Sequence, residues 1–287
     1  MLKKVARDII KARHFRPMAA SGKEDQLLAE FKQAFSATPQ TNADSAWGRY
    51  LDLFRQRAIQ DDPRKFLRWD VIEETMCVSY ARFLKTEIAY LKQNWKVWGP
   101  VINETAVGDP VPYLFHSKSS GNLIHHAYHL ARFQAATGCR FEELDVVYEF
   151  GGGYGCACKL LHALGFRGQY IIQDFPHFSA LQRYYLGMHG IEPTLTTEPM
   201  TQPKGKSLFL AEWSLSEAPE IARAPMFDIA KDCDYFLIGY QPVGGEVDNV
   251  QFFGEWQRKI DAHWSVQDIA HLEPNQYLFG CPKRAPN

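Results

Sequence analysis

The chain has 287 residues, of which 46% are hydrophobic and 23% are charged, so it can bury the core of one large domain or two. A net charge of −1 gives no electrostatic reason to expect nucleic acid as a partner. No apolar run approaches the roughly 20 residues that a membrane-spanning helix needs. The six cysteines have no disulfide-framework spacing, which favours a reduced, cytoplasmic setting.

The N-terminal region, residues 1–140, is predicted to be helical. Residues 1–11 are basic but have no continuous hydrophobic region, so they favour a short amphipathic helix rather than a signal peptide. Apolar residues recur at helical spacing over 71–95 and over 123–137, and Gly138 is expected to end the second helix. The region is expected to form a lid over a substrate site, a dimer surface or simply a core.

A glycine-rich segment follows an apolar, strand-like run. Its pattern is acidic-x-Gly-x-Gly-x-Gly, formed by Glu149, Gly151, Gly153 and Gly155. A strand that stops at glycines lets the backbone approach a ligand, and the helix predicted over 156–164 offers its N-terminus. The dinucleotide fingerprint would need a glycine where Cys156 stands. The pattern resembles instead motif I of the class I S-adenosylmethionine (SAM)-dependent methyltransferases, with a tight strand–helix turn as the structural alternative.

A second strand is predicted over 169–175, and Asp174 lies near its end, 23 residues after Gly151. The dinucleotide template places a ribose-binding acid about 20 residues beyond its glycines, and the same geometry serves an adenosine ribose. Asp174 is therefore predicted to accept hydrogen bonds from ribose hydroxyls. A helix N-cap before Pro176 is its alternative role, and the two roles are compatible.

Strands and helices alternate in the rest of the chain. A helix is predicted over 252–262, and further strands are predicted over 193–197, 207–213, 235–240, 265–272 and 276–281. The alternation predicts an α/β fold, a mostly parallel sheet with helices on both faces and one antiparallel strand from the terminal hairpin. It resembles the seven-stranded Rossmann-like methyltransferase sheet, so residues 141–287 are predicted to bind the cofactor at the carboxyl ends of the strands.

Five phrases together resemble one family. They are EFGGGYG (149–155), YIIQDFP (170–176), ALQRYYL (180–186), SLSE (214–217) and DYFLI (234–238). They are similar to the sugar O-methyltransferase family found among bacterial surface-polysaccharide genes. This resemblance implies transfer of a methyl group from SAM to a hydroxyl of a sugar, nucleotide sugar or glycan end. Cys156 and Cys158 depart from it, because small residues with a glycine are expected there.

The cofactor-binding candidates belong to the glycine segment and to the ends of the neighbouring strands. They are Glu149, Gly151, Gly152, Gly153, Tyr154, Gly155, Asp174, Phe175, Trp213 and Ser214. Aromatic faces suit a sulfonium cation, so Tyr154 and Trp213 could lie over the cofactor, with core packing as the alternative for both. No metal site is predicted, because Cys156 and Cys158 would point to different faces of a helix and no second pair with zinc spacing follows.

A general base is expected, because a sugar hydroxyl is a poor nucleophile until its proton leaves. Glu217 is one candidate, and its alternative role is a capping box with Ser214 as the cap. His125 and His126 are the others, since a histidine pKa suits proton removal near neutrality. A core or solvent position is the alternative for each histidine, and His116, His177 and His271 are weaker candidates.

Two other functions stay open. The acceptor could be a hydroxyl or amine of a natural product. The protein could also be a non-catalytic scaffold or binding subunit that has the methyltransferase fold. The intact acid, the three motif glycines and Asp174 argue against the scaffold.

Overall fold

The computed structural model describes residue 15 and the ranges 22–37, 46–78, 81–200, 204–244 and 247–283. The amphipathic helix expected over 1–11 lies outside the described residues. Twelve α-helices lie within these ranges: α1 (Gly22–Ala37), α2 (Ala46–Gln60), α3 (Asp70–Thr75), α4 (Leu84–Leu91), α5 (Trp95–Val101), α6 (Gly121–Thr137), α7 (Cys156–Ala163), α8 (Pro176–Met188), α9 (Ser214–Glu217), α10 (Glu220–Arg223), α11 (Met226–Ala230) and α12 (Asn249–Lys259). Of these helices, none has the length and apolar character of a membrane span.

Short 3-10 helices cover Pro63–Arg68, Lys92–Asn94 and Phe141–Glu143. The strands of the described ranges are β1 (Pro112–Tyr113), β2 (His116–Ser120), β3 (Val146–Phe150), β4 (Gln169–Gln173), β5 (Thr194–Thr196), β6 (Ser207–Glu212), β7 (Tyr235–Tyr240), β8 (Val243–Gly244), β9 (Val247–Asp248), β10 (His263–Asp268) and β11 (Gln276–Cys281).

The chain divides into two compact units. Unit 1 comprises Met1–Tyr128, Gly153–Leu160 and Pro176–Glu192. Unit 2 comprises His129–Gly152, Leu161–Phe175 and Pro193–Asn287. The two units are discontinuous in sequence, whereas the sequence analysis divided the chain once, between residues 140 and 141. That division into a helical region and a cofactor-binding domain stays a prediction.

Unit 2 contains a seven-stranded sheet with the order β10-β11-β7-β6-β3-β4-β5. The pairs β3–β4, β4–β5, β3–β6 and β6–β7 are parallel, whereas β11 is antiparallel to both β7 and β10. The mostly parallel sheet with one reversed strand in the terminal hairpin is therefore confirmed. The chain builds outward from β3 through β4 to β5, then returns to β6 on the other side of β3. The carboxyl ends of β3 and β6 consequently form a topological switch point, where ligands of open α/β sheets bind.

One hydrophobic core cluster of unit 2 packs on a face of this sheet, with residues of β6 and β7 among its members. Phe209 and Ala211 of β6 and Phe236 of β7 are fully buried, as expected for strands covered on both faces. The Trp256 indole of α12 packs 5.6 Å from the Phe209 ring, centroid to centroid. The α12 helix begins three residues earlier than predicted, because the Asp248 side chain accepts a hydrogen bond from the Gln251 amide and caps it.

The prediction of one long helix over 71–95 is wrong. The structure breaks it into α3, α4, a 3-10 turn and α5. After α3 the backbone is fixed by contacts distant in sequence: the Val78 amide donates to Asn122 Oδ1 at 3.3 Å. A Cβ at Gly121 would lie 2.0 Å from the Val78 carbonyl oxygen. Tertiary contact therefore overrides the local helical period here, whereas the helix predicted over 123–137 is confirmed as α6, followed by Gly138 with φ 69°.

A buried ion pair stabilises unit 1. Lys159 of α7 donates to Glu104 Oε1 at 2.8 Å, and the side chains are 9% and 3% exposed. The Ser120 hydroxyl donates to the other carboxylate oxygen at 2.6 Å. Burial alone would raise the pKa of Glu104, but the Lys159 charge and the hydrogen bonds from Lys159, Ser120 and the Thr105 amide outweigh it and lower that pKa.

Replacing Lys159 by Met should therefore leave a buried, uncompensated carboxylate and lower the free energy of unfolding by about 3–5 kcal/mol. Urea denaturation at pH 7 measures this loss. The contribution of Glu104 is full above its ordinary pKa and is lost as pH falls through the lowered one, so the difference between the two proteins should shrink in acid. Lys231→Met, which breaks an exposed pair with Asp228, is the control and should change stability little. Equal losses in both variants would contradict this role of the pair.

Candidate active site at the switch point

The ends of β3 and β6 touch each other at the switch point. The Ser214 hydroxyl, just beyond β6, donates to the Phe150 carbonyl at the end of β3. The next residue, Gly151, has φ 71°, and a Cβ on it would lie 2.3 Å from the Ser214 Cβ. Glycine is thus required at 151 both by the backbone and by the contact.

The capping box considered for Ser214 and Glu217 is wrong. Trp213 occupies the N-cap position of α9, and no side chain makes a capping hydrogen bond there. The Ser214 hydroxyl is directed to Phe150 instead. Ser214 is therefore the first residue of α9 and joins two strand ends, rather than capping the helix.

The acid of the glycine pattern lies directly beneath the loop. Glu149 is 3% exposed, and its Oε2 accepts a hydrogen bond from the Tyr170 hydroxyl at 2.9 Å. A Cβ at Gly152 would lie 2.9 Å from this same oxygen and 2.7 Å from the Ile172 side chain. The absence of a side chain at 152 therefore lets the loop backbone close over the buried carboxylate.

Asp174 lies at the end of the neighbouring strand. It follows β4 directly and is partly exposed, its Oδ1 accepting from the Phe175 amide at 2.8 Å. The Gly151 amide donates to the Gln173 carbonyl at 2.8 Å, which ties the start of the glycine loop to the end of β4. The Phe175 side chain is 43% exposed. Glu149, Gly151, Gly152 and Asp174 are therefore brought together at one edge of the sheet in unit 2.

Trp213 packs within unit 2. Its Nε1 donates to Asn275 Oδ1 at 2.7 Å, and its ring lies 5.2 Å from the His129 ring. Gly239 leaves space for the indole, since a Cβ there would lie 3.2 Å from it. These contacts are those of the core-packing role that the sequence analysis considered beside a position over the cofactor. The Trp213 backbone, with φ 65°, turns the chain toward Ser214.

Glu217 lies at the carboxyl end of the same sheet. It closes the short helix α9 after β6, and Gln241 lies just beyond β7. Although Glu217 is exposed, the surrounding protein desolvates its carboxyl group and raises its pKa, and the polar side chain of Gln241 offsets only part of that. A carboxylate of raised pKa holds a proton more strongly and so is a better base.

The remaining candidates belong to unit 1. Tyr154 is 3% exposed, its hydroxyl accepts from Asn122 Nδ2 at 2.7 Å, and its ring lies 4.9 Å from the Tyr185 ring. This is a core position, and burial raises the pKa of Tyr154 well above its ordinary value. His125 Nδ1 lies 2.7 Å from Glu87 Oε1, and the Glu87 side chain is fully buried. His125 is thus held in the core of unit 1, while His126 is partly exposed.

Gly153 and Gly155 complete the alternating pattern, with φ values of 56° and 97°. Together with Gly151 they give three left-handed positions at every second residue, which side-chain-bearing residues rarely adopt. The spacing of the sequence motif therefore reflects the backbone conformation of the loop.

Sequence reasoning gave no role to Tyr170, whereas it expected Gln241 at the same rim of the sheet. In the parallel register Tyr170 of β4 faces Val147, so its hydroxyl reaches two residues along β3 to Glu149. A tyrosine within a buried strand needs a hydrogen-bond partner for its hydroxyl. A buried tyrosine on one strand and a buried acid on the neighbouring strand could therefore have indicated the Tyr170–Glu149 hydrogen bond from the sequence.

No family model matches the sequence, and no curated protein matches it. Among solved structures, the chain is similar to magnesium protoporphyrin IX methyltransferase (ChlM) from Synechocystis PCC 6803 with bound SAM, at 12% identity over 93% of this chain and 100% of that chain, with a TM-score of 0.39. It is also similar to OxaC in complex with sinefungin and meleagrin, at 14% identity over 98% of this chain and 88% of that chain, with a TM-score of 0.38. A SAM-dependent methyltransferase from Aquifex aeolicus matches at 12% identity over 52% of this chain and 96% of that chain, with a TM-score of 0.38. These likenesses are distant, so the fold of this chain rests on its own strand order.

Tyr170→Phe should remove a hydroxyl donor from the buried Glu149 carboxylate and lower the free energy of unfolding by about 1–3 kcal/mol. Urea denaturation measures the change. Tyr50→Phe is the matched control, since it deletes a tyrosine–glutamate hydrogen bond on the surface, to Glu74, and should change stability little. An unchanged midpoint for Tyr170→Phe would show that the hydroxyl does not support the carboxylate.

Proposed function

We propose that this protein is a SAM-dependent methyltransferase. The observation that carries the proposal is the arrangement at the switch point of the sheet. A loop of left-handed glycines follows β3, a buried acid lies beneath it, and a second acid ends the neighbouring strand. This arrangement places loop backbone and two carboxylates at the sheet edge where ligands of open α/β sheets bind.

The residues present fit the chemistry of the cofactor. The Asp174 carboxylate can accept hydrogen bonds from the two hydroxyls of a ribose, and it stands at the strand end where such an acid is expected. Because Gly151 and Gly152 have no side chains, the loop backbone packs closely against Ser214 and Glu149, which holds it at the strand ends where ligands of open α/β sheets bind. The negative charge of Glu149 beneath the loop suits a ligand that carries an ammonium or sulfonium group. When bound, SAM would supply a methyl group on a positively charged sulfur, ready for in-line transfer.

The chain's own contribution to the reaction is alignment and proton removal. Holding the two reactants in line can lower the barrier by up to ~7–11 kcal/mol in favourable cases. Glu217 is the proposed base, because it stands at the same sheet edge and its pKa is raised. It would take the proton of the acceptor hydroxyl as the methyl group is transferred.

The proposed acceptor is a hydroxyl of a sugar, nucleotide sugar or glycan end. This finer proposal is supported by the five sequence phrases that resemble the sugar O-methyltransferases. A panel of nucleotide sugars and oligosaccharides, assayed for methyl transfer beside natural-product phenols and amines, distinguishes this acceptor class from the alternatives.

Asp174→Ala should weaken the binding of S-adenosylhomocysteine by about 10–100-fold, because each hydrogen bond to a charged group contributes about 1.5–3 kcal/mol. Isothermal titration calorimetry measures the affinity. Asp228→Ala removes an exposed acid of the same unit and should leave the affinity unchanged. If the wild-type protein does not bind S-adenosylhomocysteine, the methyltransferase proposal fails. If only the ribose role is wrong, Asp174→Ala will bind as the wild type does.

Glu217→Gln should lower the rate of methyl transfer by about 10²–10⁴-fold, because the amide cannot accept the proton. Its affinity for S-adenosylhomocysteine should not change. In the wild type the rate should fall as pH drops through the raised pKa of Glu217, since only the deprotonated carboxylate acts as a base. Rates measured from pH 5 to 9 test this, with His126→Ala as the comparison. A full rate in Glu217→Gln would assign the base elsewhere, and a loss in His126→Ala alone would assign it to the histidine.

A further inference from the structure

A groove in unit 1 lies outside the site described above. It borders the β1–β2 hairpin and α5, has a volume of about 640 Å³, and is lined in part by Trp95, Lys96, Gly99, Phe115, His116 and Lys118. Ligand pockets in proteins have volumes of roughly 300–1,000 Å³. The groove is thus large enough to hold a small organic molecule.

One wall of the groove is aromatic and held in place. A Cβ at Gly99 would lie 2.8 Å from the Trp95 indole, so this glycine lets the ring lie flat against α5. The His116 ring packs edge-on against the indole at 5.4 Å. The Phe115 ring lies 4.0 Å from the Lys85 ammonium, although its side chain is 60% exposed. Two exposed aromatic rings in fixed positions offer a surface on which a flat ligand can stack.

The charge around the groove is of one sign. The acids described between residues 81 and 118 are all paired: Glu87 is buried against His125, Glu104 is buried against Lys159, and Asp109 pairs with Arg68. The basic residues of the same segment are all exposed, namely Arg82, Lys85, Lys92, Lys96 and Lys118. The groove therefore presents positive charge to the solvent and favours an anion.

His116 adds a polar group without a partner. Its Nε2 is buried and has no hydrogen-bond partner among the described residues. Burial, together with the positive charges of Lys92 and Lys118, lowers the pKa of His116. An anion bound in the groove would bring an opposing charge to the ring and to these lysines.

We propose that this groove binds a phosphate ester, with the phosphate between Lys96, Lys118 and His116 and the organic group against Trp95 and Phe115. Two ammonium groups and an imidazole N–H match the double charge and the several acceptor oxygens of a phosphate better than those of a carboxylate. The aromatic wall gives the organic part of the ester a place to stack. The proposal is independent of the methyltransferase proposal, because it concerns other residues and needs no SAM.

Such an ester could be soluble or could be a lipid headgroup, so the experiment has two arms. In the first, tryptophan fluorescence of the full-length protein is followed with glucose 1-phosphate, UMP and UDP-glucose, and with glucose and uridine as uncharged probes. In the second, flotation measures binding to vesicles of phosphatidylglycerol and of phosphatidylcholine. We expect a phosphorylated probe or the anionic vesicle to bind, with an affinity that falls as salt is raised.

Two groove variants and a charge-matched control decide the assignment. Lys96→Gln/Lys118→Gln should weaken binding at least tenfold, and Phe115→Ser, an exposed position, should weaken it several-fold without loss of charge. Lys32→Gln/Lys65→Gln removes two exposed lysines elsewhere in unit 1 and should change the affinity less than twofold. Failure of every phosphorylated probe and vesicle to bind, or an equal loss in the groove and control variants, would overturn the proposal.

Discussion

The candidate site depends on a steric contact between two strand ends that the topology places side by side. At a switch point the chains leaving neighbouring strands usually diverge, which opens a crevice. Here the chain after β6 returns far enough for Ser214 to touch Gly151 and to donate to the Phe150 carbonyl. This contact fixes where the glycine loop begins, and any side chain at 151 would separate the two strand ends.

The unusual backbone at Trp213 follows from that contact. A φ of 65° is costly for a residue with a side chain, and such residues persist only where their surroundings hold them. The Trp213 amide donates to the Gly239 carbonyl at 2.7 Å, and the indole N–H donates to Asn275. The strained residue is thus anchored to β7 and to the turn before β11. The antiparallel end of the sheet, remote from the glycine loop in sequence, consequently helps to position it.

Residue patterns within short segments predicted the strands of the sheet. The features that the sequence analysis missed depend on contacts between residues far apart in the chain. The strands 235–240 and 276–281 were found at their observed bounds, because buried strands between turn residues are visible in a single stretch of sequence. The same local reasoning failed for 71–95, where Gly121 and Asn122 draw the chain out of a helix. It considered Ser214 as a helix cap and left His125 without its partner Glu87, which lies 38 residues away. Side chains whose partners are far along the chain cannot be assigned from periodicity.

The net charge of the whole chain likewise does not describe the charge of a small part of its surface. A chain of net charge −1 gives no overall field to attract an anion. At physiological ionic strength, however, charges interact only over about 8 Å, so the sum over the chain matters less than the arrangement within a small area. In unit 1 the acids Glu87 and Glu104 are buried against cationic or protonatable partners, while the lysines of the same segment stay exposed. Burying the acids of a segment leaves its surface positive whatever the total charge, and the groove beside Phe115 lies on that surface.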